Sequence, residues 1–582
     1  MTGYRVTTGV ARDSRYPLYH DYLWRYDRVA SLYDYSPHLA ASVPARVREL
    51  RDFDGDRVGL AAGLEEYNRS LGAPPETLSS CRRLARPGSV VVIGGQQPGV
   101  LTGPLYTFWK AVAVVQLAEA VARRLPPDTP VVPVFWIGAE DHDRDEVAPV
   151  NVPASDGPAV RIVYDPSEGE QGAGQPGIGR LSGEGRPAGS AFPVRTSVGY
   201  LPAGQAAEAF LARLEPALWR TEFTAGVMDL LRRTATASGN LGDWFGRLLL
   251  SLVGGRGLVV ANPLHAGLRA LESPMLRRMI QSNEAASARF AAGREKVREL
   301  GYEPQVEKDL DAANLYLYRG FERVPLRRLP AESGGLFLAG AGPQAERLTE
   351  AELLDIAAGN PERLSTNVVF RPLAQDAVFP VLAYVGGPGE TSYYGLYRDL
   401  YHLFGRRLPV VYPRPGVTIV EPVEARRLER CGLTAEQALD LDVLRRAKAG
   451  YLAEADPIGI DEVFGRLENS VREAYSAVSG AVTSVDPSLA DLASKNLARV
   501  KGEIEWLKNK TRQRHRQNCR EAVHRYEAIE AAFRPQGDYQ ERVWNIFSYL
   551  AKYGLDLALS LTALPLVPAD GLVDANHRFV WL

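Results

Sequence analysis

Four β-branched residues, Val90-Val91-Val92-Ile93, run straight into a glycine-rich loop and then into an apolar stretch, Leu105–Ala122. The four-residue run has the composition of a short buried strand. The loop carries Gly94, Gly95, Gly99 and Gly103, and the stretch after it reads as a helix. Strand, glycine loop, helix is how an open α/β sheet offers backbone N–H groups to a ligand. Glycine lets the main chain approach closely, and a helix N-terminus favours negative charge. Gln96, Gln97 and Thr102 add side-chain donors and acceptors. The spacing is neither G-x-G-x-x-G nor G-x-x-x-x-G-K-[ST], so the loop predicts a ligand at the top of a sheet without naming it.

A second uninterrupted apolar run spans residues 131–137, and the helix between the two runs is long enough for a crossover. The unit is therefore read as βαβ with parallel strands, in a sheet covered on both faces. Directly after the second strand come Glu140, Asp141, His142 and Asp143. Ligands on open α/β sheets bind beyond the carboxyl ends of strands, so the loop and this cluster converge on one rim. Alternation along an extended chain predicts Asp141 and Asp143 on one side, Glu140 and His142 on the other. Such a cluster serves as a general base or as an orienter of an amine or hydroxyl. Its alternative role is to cap the next helix and hold loops. A metal needs further ligands, and no H-x-x-x-H or second histidine cluster supplies them, so no tightly bound metal is expected.

Residues 366–415 return to the same pattern. Gly386-Gly387-Pro388-Gly389-Glu390 precedes a helical stretch with Tyr393, and residues 408–412 read as a strand. Asn367, Arg371, Gln375 and Asp376 are polar positions in an otherwise apolar segment. Arg371 suits a bidentate contact with a substrate carboxylate; the other reading is an ion pair with Asp376. Lys110, two turns into the first helix, either snorkels or meets an anion.

At 582 residues the chain exceeds one ordinary domain. Lys and Arg total 68 against 70 Asp and Glu, which gives no electrostatic reason to expect nucleic acid or a membrane surface. Cys81, Cys431 and Cys519 are far apart and form no disulfide framework, as suits a reducing cytoplasm. The first residues lack a signal-peptide core, and no run of about 18 apolar residues predicts a membrane span.

The expected organisation is as follows. Residues 1–150 hold an N-terminal helical segment and the first half of a Rossmann-like core. A Gly/Pro/Ser-dense connecting insertion covers 151–205. Residues 206–302 are helical with a core strand at 257–262, and a second connecting insertion covers 303–345. The second half of the core occupies 346–420, a helical arm 421–538, and a segment returning to the core 539–582. In the arm, Leu497, Val500, Ile504 and Leu507 follow a 3-4-3 spacing, a heptad seam that resumes with an offset at Ala522, Tyr526, Ile529 and Phe533. An antiparallel helical hairpin or coiled coil is the economical reading.

Four stretches together resemble the BshC family, the cysteine-adding enzymes of bacillithiol biosynthesis. They are Gly95-Gln96-Gln97-Pro98-Gly99 with residues 101–107, including Tyr106, and Lys110; residues 134–143; residues 367–376 with Gly386 to Glu390; and Gln540-Glu541-Arg542 with Lys552-Tyr553-Gly554. The resemblance implies an α/β fold with a Rossmann-like parallel core related to nucleotidyltransferases, two connecting insertions and an α-helical coiled-coil arm that forms a homodimer. It implies a cytoplasmic ligase that joins the cysteine carboxyl to the glucosamine amine of glucosaminyl-malate, with ATP as co-substrate, with or without magnesium. On that reading the loop with Gly94, Gln96, Gln97, Gly99, Thr102, Gly103 and Tyr106 holds substrate or nucleotide. Asp141, His142 and Asp143 bind the amine or take its proton. Arg371 and Glu390 grip the malyl or cysteinyl ends. Where class I nucleotidyltransferases carry a His-Ile-Gly-His signature, this chain has Gly-Gly-Gln-Gln. A nucleotidyltransferase-like enzyme acting on another small amine, and a non-catalytic dimeric scaffold with a vestigial nucleotide fold, are the alternatives. An enzyme predicts a polar pocket at the strand ends, and a scaffold predicts a filled one.

Overall fold

The computed structural model describes residues 4–11, 15–153, 159–169, 193–330, 334–571, 573–574 and 576–582. The chain divides into two compact units: residues 1–418 with 541–580, and residues 419–540 with 581–582.

The first unit is built on ten strands that matter for the site. They are β1 (Val90–Gln96), β2 (Val131–Ile137), β3 (Val259–Ala261), β4 (Ala312–Arg319), β5 (Glu322–Arg328), β6 (Leu336–Ala339), β7 (Glu346–Thr349), β8 (Leu364–Thr366), β9 (Val381–Gly386) and β10 (Val410–Pro413). The central sheet has the order β10-β9-β1-β2-β3, and every neighbouring pair is parallel. β1 is thus the strand from which the chain builds outward to both sides. That is where an open α/β sheet leaves a crevice at its carboxyl edge. The helix after β1, α1 (Leu105–Ala122), is long and apolar enough by composition to cross a membrane. It is instead a core helix, 83% buried, wedged against β1 and β2.

β1 is longer than its β-branched run. Gly94, Gly95 and Gln96 stay in the strand and pair with Phe135, Trp136 and Ile137. The loop therefore begins three residues later than the glycines imply. Gly95 is required there: a Cβ would lie 2.5 Å from the carbonyl oxygen of Trp136. Side-chain bulk at this point would push β1 off β2.

The second insertion is an antiparallel sheet, β7-β6-β5-β4-β8, and its outer members reach beyond residue 345 to Thr349 and Thr366. β8 leads directly into the helix Arg371–Val378, so residues 367–376 are the hinge and helix that return the chain to the central sheet. Residues 154–158 and 170–192 of the first insertion lie outside the described residues.

The second unit contains a helical hairpin. Ile460–Val485 and Leu489–Asn518 are joined by a three-residue turn and run antiparallel, with Tyr475 opposite Asn496 and Asp461 opposite Arg512. Ile460, Phe464 and Ile504 close its core, with Val471 and Val500 against them. The heptad seam is only partly consumed by this hairpin. Leu492, Trp506, Leu507 and Leu467 remain exposed.

Candidate active site

Beyond the carboxyl ends of β1, β2 and β9 lies a cavity of about 560 Å³, lined by residues of the first unit. Gln96 and Gln97 enter from β1, Glu140, Asp141 and His142 from β2, and Gly387, Gly389 and Glu390 from β9. Tyr106, Lys110, Asn367, Arg371 and Tyr393 complete the predicted set that faces it. Gly94, Gly99, Thr102, Gly103, Asp143, Gln375, Asp376 and Gly386 are not among its lining residues. The cavity is open and polar, as an enzyme requires and a filled vestigial site does not.

The segment after β2 does not run extended. Gly138 N–H donates to Gln96 O at 2.7 Å, and Asp141 N–H turns back to Gly138 O at 3.3 Å. The turn cancels the expected alternation. Glu140, Asp141 and His142 all face the cavity, while Asp143 points away and accepts the N–H of Glu146 at 3.2 Å, capping the helix Arg144–Val147. Helix capping is therefore the observed role of Asp143 alone.

Glu140 is held from behind. Its Oε1 accepts Arg269 Nη2 at 2.5 Å, and the other side of the same guanidinium meets Glu272 at 2.5 Å. All three side chains are almost completely buried. Burial, reinforced by the charge of Glu140, pushes the Glu272 carboxyl above the usual carboxylate range, with Arg269 opposing. The ion triad lies beneath the floor of the cavity and fixes one of its carboxylates.

The glycine loop is not an open anion cradle. The first N–H of α1, at Leu105, donates to Trp544 O at 2.8 Å. Asn545 Nδ2 donates to Leu101 O at 2.8 Å and Gly103 O at 2.6 Å. These contacts hold a turn in which Leu101 and Thr102 take left-handed φ values of 54° and 67°. Thr102 is buried inside that turn. The loop thus spends its backbone on the C-terminal segment, and of this stretch Gly95, Gln96 and Gln97 line the cavity.

Lys110 is likewise committed. Its Nζ donates to Gly95 O at 2.7 Å, Gln96 Oε1 at 3.1 Å and Glu390 at 2.5 Å, which exhausts an ammonium. Glu390 also accepts Tyr384 Oη–H at 2.5 Å and Gly387 N–H at 2.7 Å. Burial alone would raise the Glu390 carboxyl, but Lys110 and these donors outweigh it and hold it low. Glu390 lines the cavity while it makes these contacts. The pair locks the β1 and β9 loops together.

Arg371 is different. Nη1 donates to Gln375 Oε1 at 3.2 Å and Nη2 to Tyr393 Oη at 3.3 Å, with the Tyr384 ring 5.9 Å away. No ion pair joins it to a carboxylate among the described residues. The alternative pairing with Asp376 is not formed: Asp376 turns inward to Gln375 and Tyr401, and burial pushes its carboxyl up to about 6. Arg542, above the ring of Tyr16, is a second cavity-lining guanidinium with no ion pair among the described residues. Its neighbour Arg414 is bidentate to Glu541. Cys81 is buried and its thiol pushed up to about 12 by desolvation, which removes it as a nucleophile.

Several lining residues escaped the sequence reading. Arg323, from β5 of the second insertion, donates to His142 Nδ1 at 3.2 Å and to Ser365 Oγ at 2.8 Å, and stacks on Tyr316 at 3.9 Å. Nothing in the sequence ties residue 323 to residue 142. Glu146 was within sight, since it extends the acidic run that begins at Glu140.

Two family models cover the chain. One, described as the N-terminal Rossmann-like domain of BshC of bacillithiol biosynthesis, matches residues 6–185 and 188–415. The other, the C-terminal coiled-coil domain of BshC, matches residues 417–570. A protein of Symbiobacterium thermophilum is 36% identical over 576 residues, 96% of this chain and 97% of that protein. One of Desulforamulus reducens is 32% identical over 541 residues, 92% of each. One of Geobacillus kaustophilus is 33% identical over 529 residues, 90% of this chain and 91% of the relative. All three bear the name "Putative cysteine ligase BshC".

Proposed function

The chain belongs to the BshC family of bacillithiol biosynthesis, a ligase family, and from that premise we propose that it joins the carboxyl of cysteine to the glucosamine amine of glucosaminyl-malate. The observation that carries this reading is the distribution of charge in one cavity. The sheet order sets Glu140, Asp141 and Glu146 on the β2 side, and Arg371 and Arg542 on the side of β9 and the C-terminal segment. The substrate has the matching polarity, an amine at one end and two malyl carboxylates at the other. Guanidinium groups without carboxylate partners are suited to bidentate carboxylate recognition.

Amide formation from a free carboxylate needs activation, which makes ATP the co-substrate of this proposal. The N-terminus of α1 does not fit a triphosphate, because Trp544 O occupies its first N–H. The residues that fit anionic oxygens are Arg371 and Arg542. ATP supplies the energy of activation when bound. The protein's own residues position the amine, hold the carboxylates and limit water. Incubating the purified chain with cysteine, glucosaminyl-malate and ATP, followed by mass spectrometry of thiols, is expected to show ATP-dependent formation of the cysteinyl conjugate. No conjugate, or preferential conjugation of an unrelated amine, would refute the reading.

A cytoplasmic homodimer joined through the arm is part of the same proposal. The exposed Leu492, Trp506 and Leu507 on the long helix are the apolar residues such a partner would cover. Sedimentation velocity of the full chain is expected to give a dimer, and the double variant Leu492→Asp with Trp506→Glu a monomer. An unchanged dimer in that variant would place the interface elsewhere.

A further inference from the structure

His142 is the residue that chemistry first nominates as the base, and its hydrogen bond argues otherwise. A guanidinium can only donate, so the imidazole Nδ1 facing Arg323 must present its lone pair. A neutral ring then carries its proton on Nε2 and is a donor there. Burial, and next the charge of Arg323, lower the tendency of the ring to protonate further.

The carboxylates sort themselves in the same way. Glu140 is held by Arg269. Asp141 accepts the backbone N–H of His142 on Oδ1 at 2.7 Å and Gln97 Nε2 on Oδ2 at 3.2 Å. Asp143 caps a helix outside the cavity. Glu146 accepts Gln97 Nε2 on Oε2 at 2.9 Å, and its Oε1 has no hydrogen-bond partner among the described residues. One amide therefore holds two carboxylates side by side, and among the described carboxylates that line the cavity Glu146 is the one that keeps an oxygen free.

Resting on the ligase reading above, we propose that Glu146 accepts the proton of the substrate amine, while Arg323 positions His142 as a hydrogen-bond donor in the same cavity. Glu146 gains support from its surroundings. Burial in the cavity wall comes first, and the charges of Asp141 and Asp143 next; against the opposing pull of Lys110 and with a further push from Glu390, its carboxyl rises to about 7. A base near the working pH is the effective one. The residue is exposed overall, although the surrounding wall desolvates its carboxyl, and it lines the cavity, so a ligand can reach it.

In the step, the ammonium group gives one proton to the Glu146 carboxylate and the nitrogen lone pair forms the C–N bond at the cysteinyl carbonyl. The C–O bond to a phosphate-bearing leaving group, installed by a nucleoside triphosphate, breaks with its electron pair. The second nitrogen proton passes to solvent. No group is oxidised or reduced.

The test compares Glu146→Gln and His142→Gln with the unaltered full chain in amide formation across pH 5.5–9. Glu146→Gln is expected to lower the rate by about 10²–10⁴-fold and to move the acid limb to the titration of the substrate amine itself. Glucosaminyl-malate binding, measured by calorimetry, is expected to change far less. His142→Gln is expected to slow the reaction while keeping the acid limb. Arg323→Met is expected to add a titration near the ordinary histidine range, because the imidazole is then free to protonate. If Glu146→Gln keeps both rate and acid limb in an active background, this inference falls and the ligase reading stands. If the unaltered chain neither binds nor converts glucosaminyl-malate, both fall.

Discussion

Replacing Arg269 by methionine is expected to destabilise the first unit by about 3–5 kcal/mol, the cost of leaving a buried charge without its partner. Methionine keeps the apolar stem of Arg269 and removes the guanidinium, so the main loss is the charge that meets both carboxylates. It strands Glu140 and Glu272, which are 5% and 1% exposed. Glu272 can escape by staying protonated, since burial already pushes its carboxyl up. Glu140 is left without its cation, facing the cavity alongside Asp141. Chemical denaturation at pH 7 measures the loss. A second variant, Arg269→Met with Glu272→Met, is expected to recover part of it, since well-packed apolar side chains replace a buried ion pair at little net cost. Stability unchanged in Arg269→Met would show that the triad is not what holds the floor of the site.

The second large effect belongs to Arg371. On the proposed reading, Arg371→Ala raises KM for glucosaminyl-malate on the order of 10²-fold, the loss of one charged, hydrogen-bonded contact. The KM for cysteine is expected to move much less. Arg371→Lys is expected to restore only part of the loss, because a point charge does not reproduce the planar fork. The fold should tolerate both changes: the guanidinium makes two long hydrogen bonds, to Gln375 and Tyr393, and leaves no carboxylate behind. Steady-state kinetics with each substrate varied in turn checks the expectation. A uniform fall in kcat with both KM values unchanged would place Arg371 outside the substrate contact.

Much of the architecture was legible without coordinates, for a local reason. Buried parallel strands read as continuous apolar runs, and those at 90–93 and 131–137 are such runs. The helix between them had to be a crossover, and the acidic cluster had to fall at a carboxyl end. What failed was also local in origin. Glycines at 94 and 95 read as a loop, whereas they let β1 lie against Trp136. Alternation at 140–143 assumed an extended chain, whereas hydrogen bonds to Gln96 and Gly138 fold it into a turn.

Other assignments could not be reached from sequence at all. Whether Arg371 pairs with Asp376 depends on which way two side chains turn on one short helix. Packing decided it by directing Asp376 to Tyr401 and Arg371 to the cavity. Lys110 looked available to an anion until Glu390, 280 residues away, took its ammonium.

The sequence by itself determined the parallel sheet, the rim where strand ends converge and the family that carries these motifs, because apolar runs, glycine placement and motif order are properties of the chain read in line. The tertiary structure alone decided which polar groups remain free. Docking the second insertion brings Arg323 onto His142, the Ala266–Gln281 helix brings Arg269 under Glu140, and the C-terminal segment brings Trp544 and Asn545 onto the glycine loop. Each partner comes from a distant part of the chain, and an unspent donor or acceptor exists only after all the others have been matched in three dimensions. The glycine loop, read in sequence as a backbone cradle, turns two glutamine side chains to the cavity instead.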